Sequence, residues 1–316
     1  MARPSFALGT NRVRAGSKQE IGLPISKLVT GAAVTLPVLV LHGRNDGPTV
    51  WVDAAIHGDE VGGVDIIRRV LEHVNPKTLH GTLIAVPIVN VHGFMTGDRY
   101  LPDRRDLNRS FPGTARGSLA GRIAHLMMTE IVAPSDVGID LHTGSDHRTN
   151  LPQIRADLDD PRTRELAETF GAPVMIHART RDGSLRHAAR EHGATVLLYE
   201  GGEANRFDDW AIDAGVAGVT RVLASLEMID EDVAAHAPSV ESRKTGWVRA
   251  SVSGIIRIEC ALGATVEAGD RLGVISNSFG RRLASIKAAR GGIVIGRLEA
   301  PLVNRGDAVV HIAEID

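Results

Sequence analysis

Thr49-Val-Trp-Val-Asp-Ala-Ala-Ile56 runs straight into His57-Gly-Asp-Glu60, and that into Val61-Gly-Gly-Val-Asp-Ile-Ile-Arg-Arg-Val-Leu71. The first segment is short and almost wholly apolar, as a buried strand is. In the last, Val61, Val64, Ile67, Val70 and Leu71 share one face at helical spacing. The sequence thus predicts a strand ending at His57 and a helix over 60–74. Glu60 falls in the first helical turn, and Gly58 lets the backbone turn tightly between the two. A buried strand feeding an amphipathic helix is the repeating unit of an α/β fold.

The alternation continues outward in both directions. Residues before Pro24 are polar and irregular, an arm or edge strand. Residues 33–43 form a strand that Pro37 marks as edge-like or irregular at its start, and Asn45-Asp-Gly-Pro48 forms a turn. Further strands are expected over 81–90, over 136–141 ending at His142, over 173–176, and over 194–199 ending at Glu200. Helices are expected over 119–132, 162–171, 186–192 and 210–228. Residues 92–112 are polar and without periodicity, a long loop of the kind that carries function. The predicted architecture is an α/β/α sandwich with a mostly parallel or mixed sheet. His57, His142 and Glu200 each follow an apolar strand, and ligands of open α/β sheets gather at the carboxyl ends of strands. The three can therefore converge.

The composition changes near Asp230. Residues 233–245 read as a linker between a catalytic unit over 1–232 and a small all-β unit over 246–316. In the latter, Ala250-Ser-Val-Ser-Gly254 is echoed by Ala288-Ala-Arg-Gly-Gly292, and Val266-Glu-Ala-Gly-Asp270 by Val303-Asn-Arg-Gly-Asp307, at an offset of about 37 residues. This pair of half-repeats resembles the flattened β-barrel of biotinyl and lipoyl carrier domains. Such carriers place a modifiable lysine at the hairpin between the halves. Here that hairpin is Asn277-Ser-Phe-Gly-Arg-Arg282, with no lysine, and Lys287 falls at the start of the following half. A structural or oligomer-forming role is expected in place of carriage, so a homo-oligomer is a possible partner arrangement.

Bulk properties exclude several classes. The 316 residues are 43% hydrophobic and 23% charged, ordinary globular composition with room for two domains. A formal net charge of -2 and 3% aromatic residues give no field or stacking platform for nucleic acid, and no basic patch for an anionic membrane. Cys260 is the only cysteine, so no intrachain disulfide can form. It sits in a strand-like run and reads as a small buried hydrophobe. The first residues carry no secretory apolar stretch, and no segment has the length to span a bilayer. A cytoplasmic protein is the expectation.

The chemistry follows from His57-Gly-Asp-Glu60 and Asp140-Leu-His142. Two histidines and one carboxylate complete the protein's share of a catalytic zinc site, leaving one position for water. Zinc lowers the pKa of such a water enough to give a nucleophile near neutral pH. Asp140, two residues before His142 on a strand, points to the same side and can back one of the histidines. Asp53 and Asp59 are read as solvated or capping. Asp103-Arg-Arg-Asp-Leu-Asn-Arg-Ser-Phe-Pro-Gly113 lies between the ligand segments, and its arginines suit carboxylate recognition.

With these motifs in order, the chain resembles the succinylglutamate desuccinylase/aspartoacylase family of the zinc carboxypeptidase superfamily. The resembling residues are His57-Gly-Asp-Glu60, Asp106-Leu-Asn-Arg109, Asp140-Leu-His142 and Glu200-Gly-Gly, spread over roughly residues 45–225. The resemblance implies a zinc-carboxypeptidase-like sandwich and one zinc per chain held by His57, Glu60 and His142. It also implies that Asn108 and Arg109 hold the substrate carboxylate and that Glu200 is general base and acid. A further arginine polarises the scissile carbonyl; Arg99 is the best positional match, with Arg104 and Arg105 competing. Residues 143–155 are polar, and Arg148, Asn150 and Arg155 are candidates to line the substrate pocket. They resemble a pattern in bacterial deacylases of the family, including those that remove acetyl from N-acetyl-diaminobutyrate in ectoine breakdown.

The expected activity is zinc-dependent removal of an acyl group, of acetyl or succinyl type, from a small N-acyl amino acid. The rival readings are a zinc carboxypeptidase or amidase acting on a peptide and a non-catalytic zinc-binding assembly module.

Overall fold

The computed structural model describes residues 3–145, 147–231 and 234–315. The predicted linker begins at Val233 and the polar segment 143–155 includes Asp146; both of those residues lie outside the described set.

One large mixed sheet organises the molecule. In spatial order it runs Thr245–Arg249, Ala308–Ala313, Gly292–Leu298, Arg148–Ala156, Thr195–Glu203, Val137–Gly144, Asn45–Ala54, His80–Val86, Ala33–His42 and Ser17–Lys27. The middle of the sheet is parallel, with Val137–Gly144 between Thr195–Glu203 and Asn45–Ala54. All eight residues of Val137–Gly144 are buried, as central parallel strands require. Helices Gly62–His73, Pro161–Phe170 and Asp209–Ser225 cover one face, with Ile66, Ile67, Val70, Phe170, Val219 and Val222 in a common core. Helices Leu119–Leu126 and Leu185–Glu191 cover the other face, where Ile123, Ala124, Leu185 and Ala189 pack on Trp51 and Ile84. This is the expected α/β/α sandwich. No helix among the described residues is long and apolar enough to cross a membrane.

Several local expectations need correction. Glu60 precedes its helix, which begins at Gly62. The stretch 92–112 is not a single loop. Val91–Thr96 is helical, opened by Asn90, whose side chain accepts from Gly93 N, and closed by a left-handed Gly97; Leu107–Arg109 forms a 3-10 turn. Both helices are too short for periodicity to reveal them. Asp53 and Asp59 are buried, not solvated. The polar stretch after His142 is in part the strand Arg148–Ala156. Arg148, Asn150 and Arg155 line a cavity, so the strand lacks the apolar alternation that identifies strands.

The C-terminal region is all-β, and its half-repeats share their local structure. Glu267 N donates to Asp270 Oδ2 at 2.8 Å, and Asn304 N to Asp307 Oδ2 at 2.7 Å. Gly269 and Gly306 hold φ of 97° and 98°. Each turn bonds the start of the other half: Gly269 N to Ala288 O, and Gly306 N to Ala250 O. The hairpin at 277–281 presents an exposed Phe279, and Lys287 ends the strand Arg282–Lys287 opposite Arg271.

Strand pairing ties this region, and the segment read as a linker before it, to the sandwich. Gly296, Arg297 and Leu298 pair with Asn150, Thr149 and Arg148. Val240–Ser242 pairs in parallel with Val174–His177.

Candidate active site

The strand ends bring the predicted ligands together. His57 follows Asn45–Ala54, and His142 lies near the end of the neighbouring strand Val137–Gly144. Glu60 Oε1 is 2.7 Å from His57 Nδ1, and Glu60 Oε2 is 2.7 Å from His142 Nδ1. All three side chains are buried, and their donor atoms lie within 4.8 Å of one another. Thr143 N also donates to Glu60 Oε2, at 3.2 Å. Gly58 allows this turn by closeness: a Cβ there would stand 2.1 Å from the Gly93 carbonyl carbon and 2.3 Å from Phe94 N.

Carboxylates back both imidazoles on their far side. His57 Nε2 lies 3.2 Å from Asp106 Oδ1, and His142 Nε2 lies 2.9 Å from Asp140 Oδ1. Histidines that bind metal through one nitrogen characteristically meet such a partner through the other. Burial works against charge throughout this cluster. Even so, the two imidazoles hold the Glu60 carboxyl well below the usual carboxylate range, and Asp140 and Glu60 raise His142 well above the usual imidazole value. Behind them, burial and then the adjacent Asp140 push the Asp53 carboxyl well up, and Trp51 Nε1 donates to its Oδ1 at 2.7 Å. Two buried histidines and a carboxylate, each histidine backed by a further carboxylate, form a donor set that suits zinc.

The triad opens into a cavity of about 540 Å3. Glu200, Asn108, Arg109, Arg148, Asn150, Arg155 and Arg99 all line it. Of the three competing arginines, Arg99 reaches the site. Its NH1 donates to Glu60 Oε1 at 3.1 Å and its NH2 to Asp106 Oδ2 at 3.2 Å. Arg104 and Arg105 are exposed and do not line the cavity. Asn108 is more engaged than expected: its Oδ1 accepts from Leu185 N at 2.9 Å, and its Nδ2 lies 3.5 Å from His142 Nε2. Glu200 sits beside His142 in register on Thr195–Glu203, and its Oε2 accepts from Asn150 Nδ2 at 2.6 Å.

Sequence reasoning missed several wall residues. The motif Asp106-Leu-Asn-Arg109 gave no sign that Asp106 stands behind His57. Arg179, Arg181, Ser184 and Arg186 line the cavity from the segment after the strand Val174–His177; the strand-end argument that found His57 would have pointed there. Burial and the nearby Arg155 lower Arg186 to about 10, within the charged range at neutral pH. Trp247 and His311 come from the C-terminal region. Their rings stack at 4.4 Å and 12°, and the Arg148 guanidinium lies 5.4 Å from the Trp247 ring centroid. Nothing in the sequence linked them to the site, because that region reads as a separate unit.

The geometry is matched by kinship. Residues 46–226 match the model of the succinylglutamate desuccinylase/aspartoacylase catalytic domain. The chain is 28% identical to the N-alpha-acetyl-L-2,4-diaminobutyric acid deacetylase of Halomonas elongata, over 99% of this chain and 96% of the relative. A succinylglutamate desuccinylase/aspartoacylase structure from Rhodobacter sphaeroides superposes with a TM-score of 0.84 at 27% identity, covering 95% of this chain and 96% of that one. The ectoine utilization protein EutE (DoeB) of Ruegeria pomeroyi, solved with product bound, superposes with a TM-score of 0.86 at 25% identity, covering 100% and 99%.

Proposed function

Since the chain belongs to the succinylglutamate desuccinylase/aspartoacylase family, we propose that it is a zinc-dependent hydrolase removing an acetyl- or succinyl-type group from the amine of a small N-acyl amino acid. The observation that carries the reading is the buried His57, Glu60 and His142 group opening into the same cavity as Glu200. The acetyl-diaminobutyrate deacetylase among the relatives supports the substrate class. The cavity's arginines suit a substrate that bears a carboxylate.

Bound by the triad, zinc would supply Lewis acidity and a water that deprotonates near neutral pH. Glu200 takes a proton from the attacking water and returns it to the departing nitrogen. The amide C–N bond breaks as a C–O bond forms, giving a carboxylate and a free amine. Arg109, with Asn108 beside it, anchors the substrate carboxylate and so fixes the amide over the metal ligands. Arg99, already gripping Glu60 and Asp106, offers positive charge to the carbonyl oxygen as it becomes negative.

The test is a panel of N-acetyl, N-succinyl and N-formyl amino acids, N-acetyl-2,4-diaminobutyrate included, incubated with zinc-loaded protein. At least one member should be cleaved. Glu200→Gln should lower kcat by about 10²- to 10⁴-fold with zinc content unchanged by metal analysis. Wild-type turnover in Glu200→Gln, or no cleavage by protein holding one zinc per chain, overturns the reading.

A further inference from the structure

We propose that Asn150 is a positioning residue for Glu200, and that the C-terminal strand Gly292–Leu298 fixes Asn150 through Gly296. The proposal rests on Glu200 being the proton carrier. It gives Asn150, expected to touch substrate, a different duty.

A regular ladder would not bring the two side chains together. Glu200 stands opposite Gln153, and Gly202 stands opposite Asn150. Two steps along one strand therefore match three along the other, so Arg148–Ala156 carries an additional residue at Leu151-Pro152. An additional residue inverts the facing of everything beyond it. By alternation from Gln153, Asn150 would face away from Glu200; with the bulge it faces it. Pro152 has no N–H to give the ladder, which suits that place.

The Asn150 amide is bonded at one end and closely approached by the C-terminal strand at the other. Its Nδ2 donates to Glu200 Oε2 at 2.6 Å. A carboxylate oxygen only accepts, and this assigns the amide's orientation. On the other side, Gly296 is its partner across the ladder. A Cβ on Gly296 would stand 2.8 Å from Asn150 Oδ1. The glycine lets the C-terminal strand come close enough to seat the amide, and Asn150 is buried there. The other Glu200 oxygen, Oε1, lies 3.6 Å from Arg155 Nε. One carboxylate oxygen is thus hydrogen-bonded by Asn150 while the other faces the Arg155 guanidinium, and the hydrogen bond supplies the preorganisation a proton carrier needs.

The experiment compares Asn150→Ala, Gly296→Ala and the double variant in the full-length, zinc-loaded chain, using the panel member that wild type cleaves fastest. Asn150→Ala should lower kcat by about 10- to 100-fold, the worth of a hydrogen bond to a charged group, with KM within about twofold. Gly296→Ala should show the same kind of loss, and the double variant should be no worse than Asn150→Ala. A raised KM with kcat kept makes Asn150 a substrate contact and overturns the proposal. Additive losses overturn the part assigned to Gly296. Asn150→Asp keeps the shape without the donor and decides the matter if Asn150→Ala does not fold. Crystal structures of the zinc-loaded variants separate this proposal from the activity itself. A Glu200 carboxylate that keeps its place without Asn150 overturns it, whether or not any panel member is cleaved; a displaced carboxylate supports it.

Discussion

His311 illustrates what a single position can do inside a shared wall. It is buried against Trp247 from Thr245–Arg249, faces Arg155 from Arg148–Ala156, and stands opposite Gly296. Burial first, and Arg155 second, push its imidazole down to about 3. Unfolded, it titrates near 6.5. Between those values the unfolded chain binds a proton that the folded chain refuses, so stability rises with pH there. His311 contributes fully above about pH 6.5, and its contribution is lost as the pH falls toward 3. Urea melts at stepped pH should show His311→Gln losing less stability than wild type between pH 6.5 and 4.5, by up to about 1.4 kcal/mol per pH unit. Parallel curves would show that the imidazole is free to protonate in place. Residues of this kind were not legible in the sequence. The convergence of His57 and His142 was, because each is announced by the strand before it, and Glu60 was read from its place three residues after His57. Asp106, Trp247 and His311 reach the site by tertiary approach from loops and distant strands. Gly58 was legible as necessary but for the wrong reason: the demand comes from the neighbouring backbone at Gly93, a contact that no local pattern encodes.

At the scale of elements, periodicity found what repeats and missed what is short or faces polar space. The helix at Gly62–His73 was readable from its apolar stripe, and the buried strand Val137–Gly144 from its run of apolar residues. Arg148–Ala156 was not, because a strand that turns Arg148, Asn150 and Arg155 toward a cavity has no apolar alternation to show. The half-repeat in the C-terminal region was readable, and its meaning can be tested. Asp270 and Asp307 make the same bond in the two halves, each accepting from the backbone three residues earlier. Each turn also caps the opposite half, through Ala288 and Ala250. If the halves are physical equivalents, Asp270→Ala and Asp307→Ala should destabilise the protein alike, by roughly 0.5–1.5 kcal/mol each. Urea midpoints measure this. A cost confined to one turn would mean that the repeat survives in sequence but not in energetics.

For the whole molecule, the decisive matter is how the two regions of the chain share a sheet. Sequence composition divides the chain near Asp230, and the polypeptide does change character there. The hydrogen bonds do not respect that division. Gly292–Leu298 continues the sandwich's sheet through Arg148–Ala156, and Val240–Ser242 adds to Val174–His177. Val174 and Ile176 from the sandwich form one buried cluster with Ile295 and Ala313 from the C-terminal region. Trp247 and His311 help to line the cavity into which His57, Glu60 and His142 open. Separating the regions would bare a central strand's polar edge, strip that apolar cluster and open the site to water. Each of those losses is unfavourable, so neither region should melt while the other stays folded. We therefore expect calorimetry of the full chain to give a single transition, with calorimetric and van't Hoff enthalpies in agreement. Zinc binding to the triad should raise that whole transition, because a ligand of the native state stabilises whatever unfolds with its site. The unfolding around His311, distant in sequence from His57, Glu60 and His142, should move with it; tryptophan fluorescence at Trp247 reports that neighbourhood once Trp51 and Trp210 are replaced by Phe. Two resolved transitions, only one shifted by zinc, would make the C-terminal region an appendage with no part in holding Asn150.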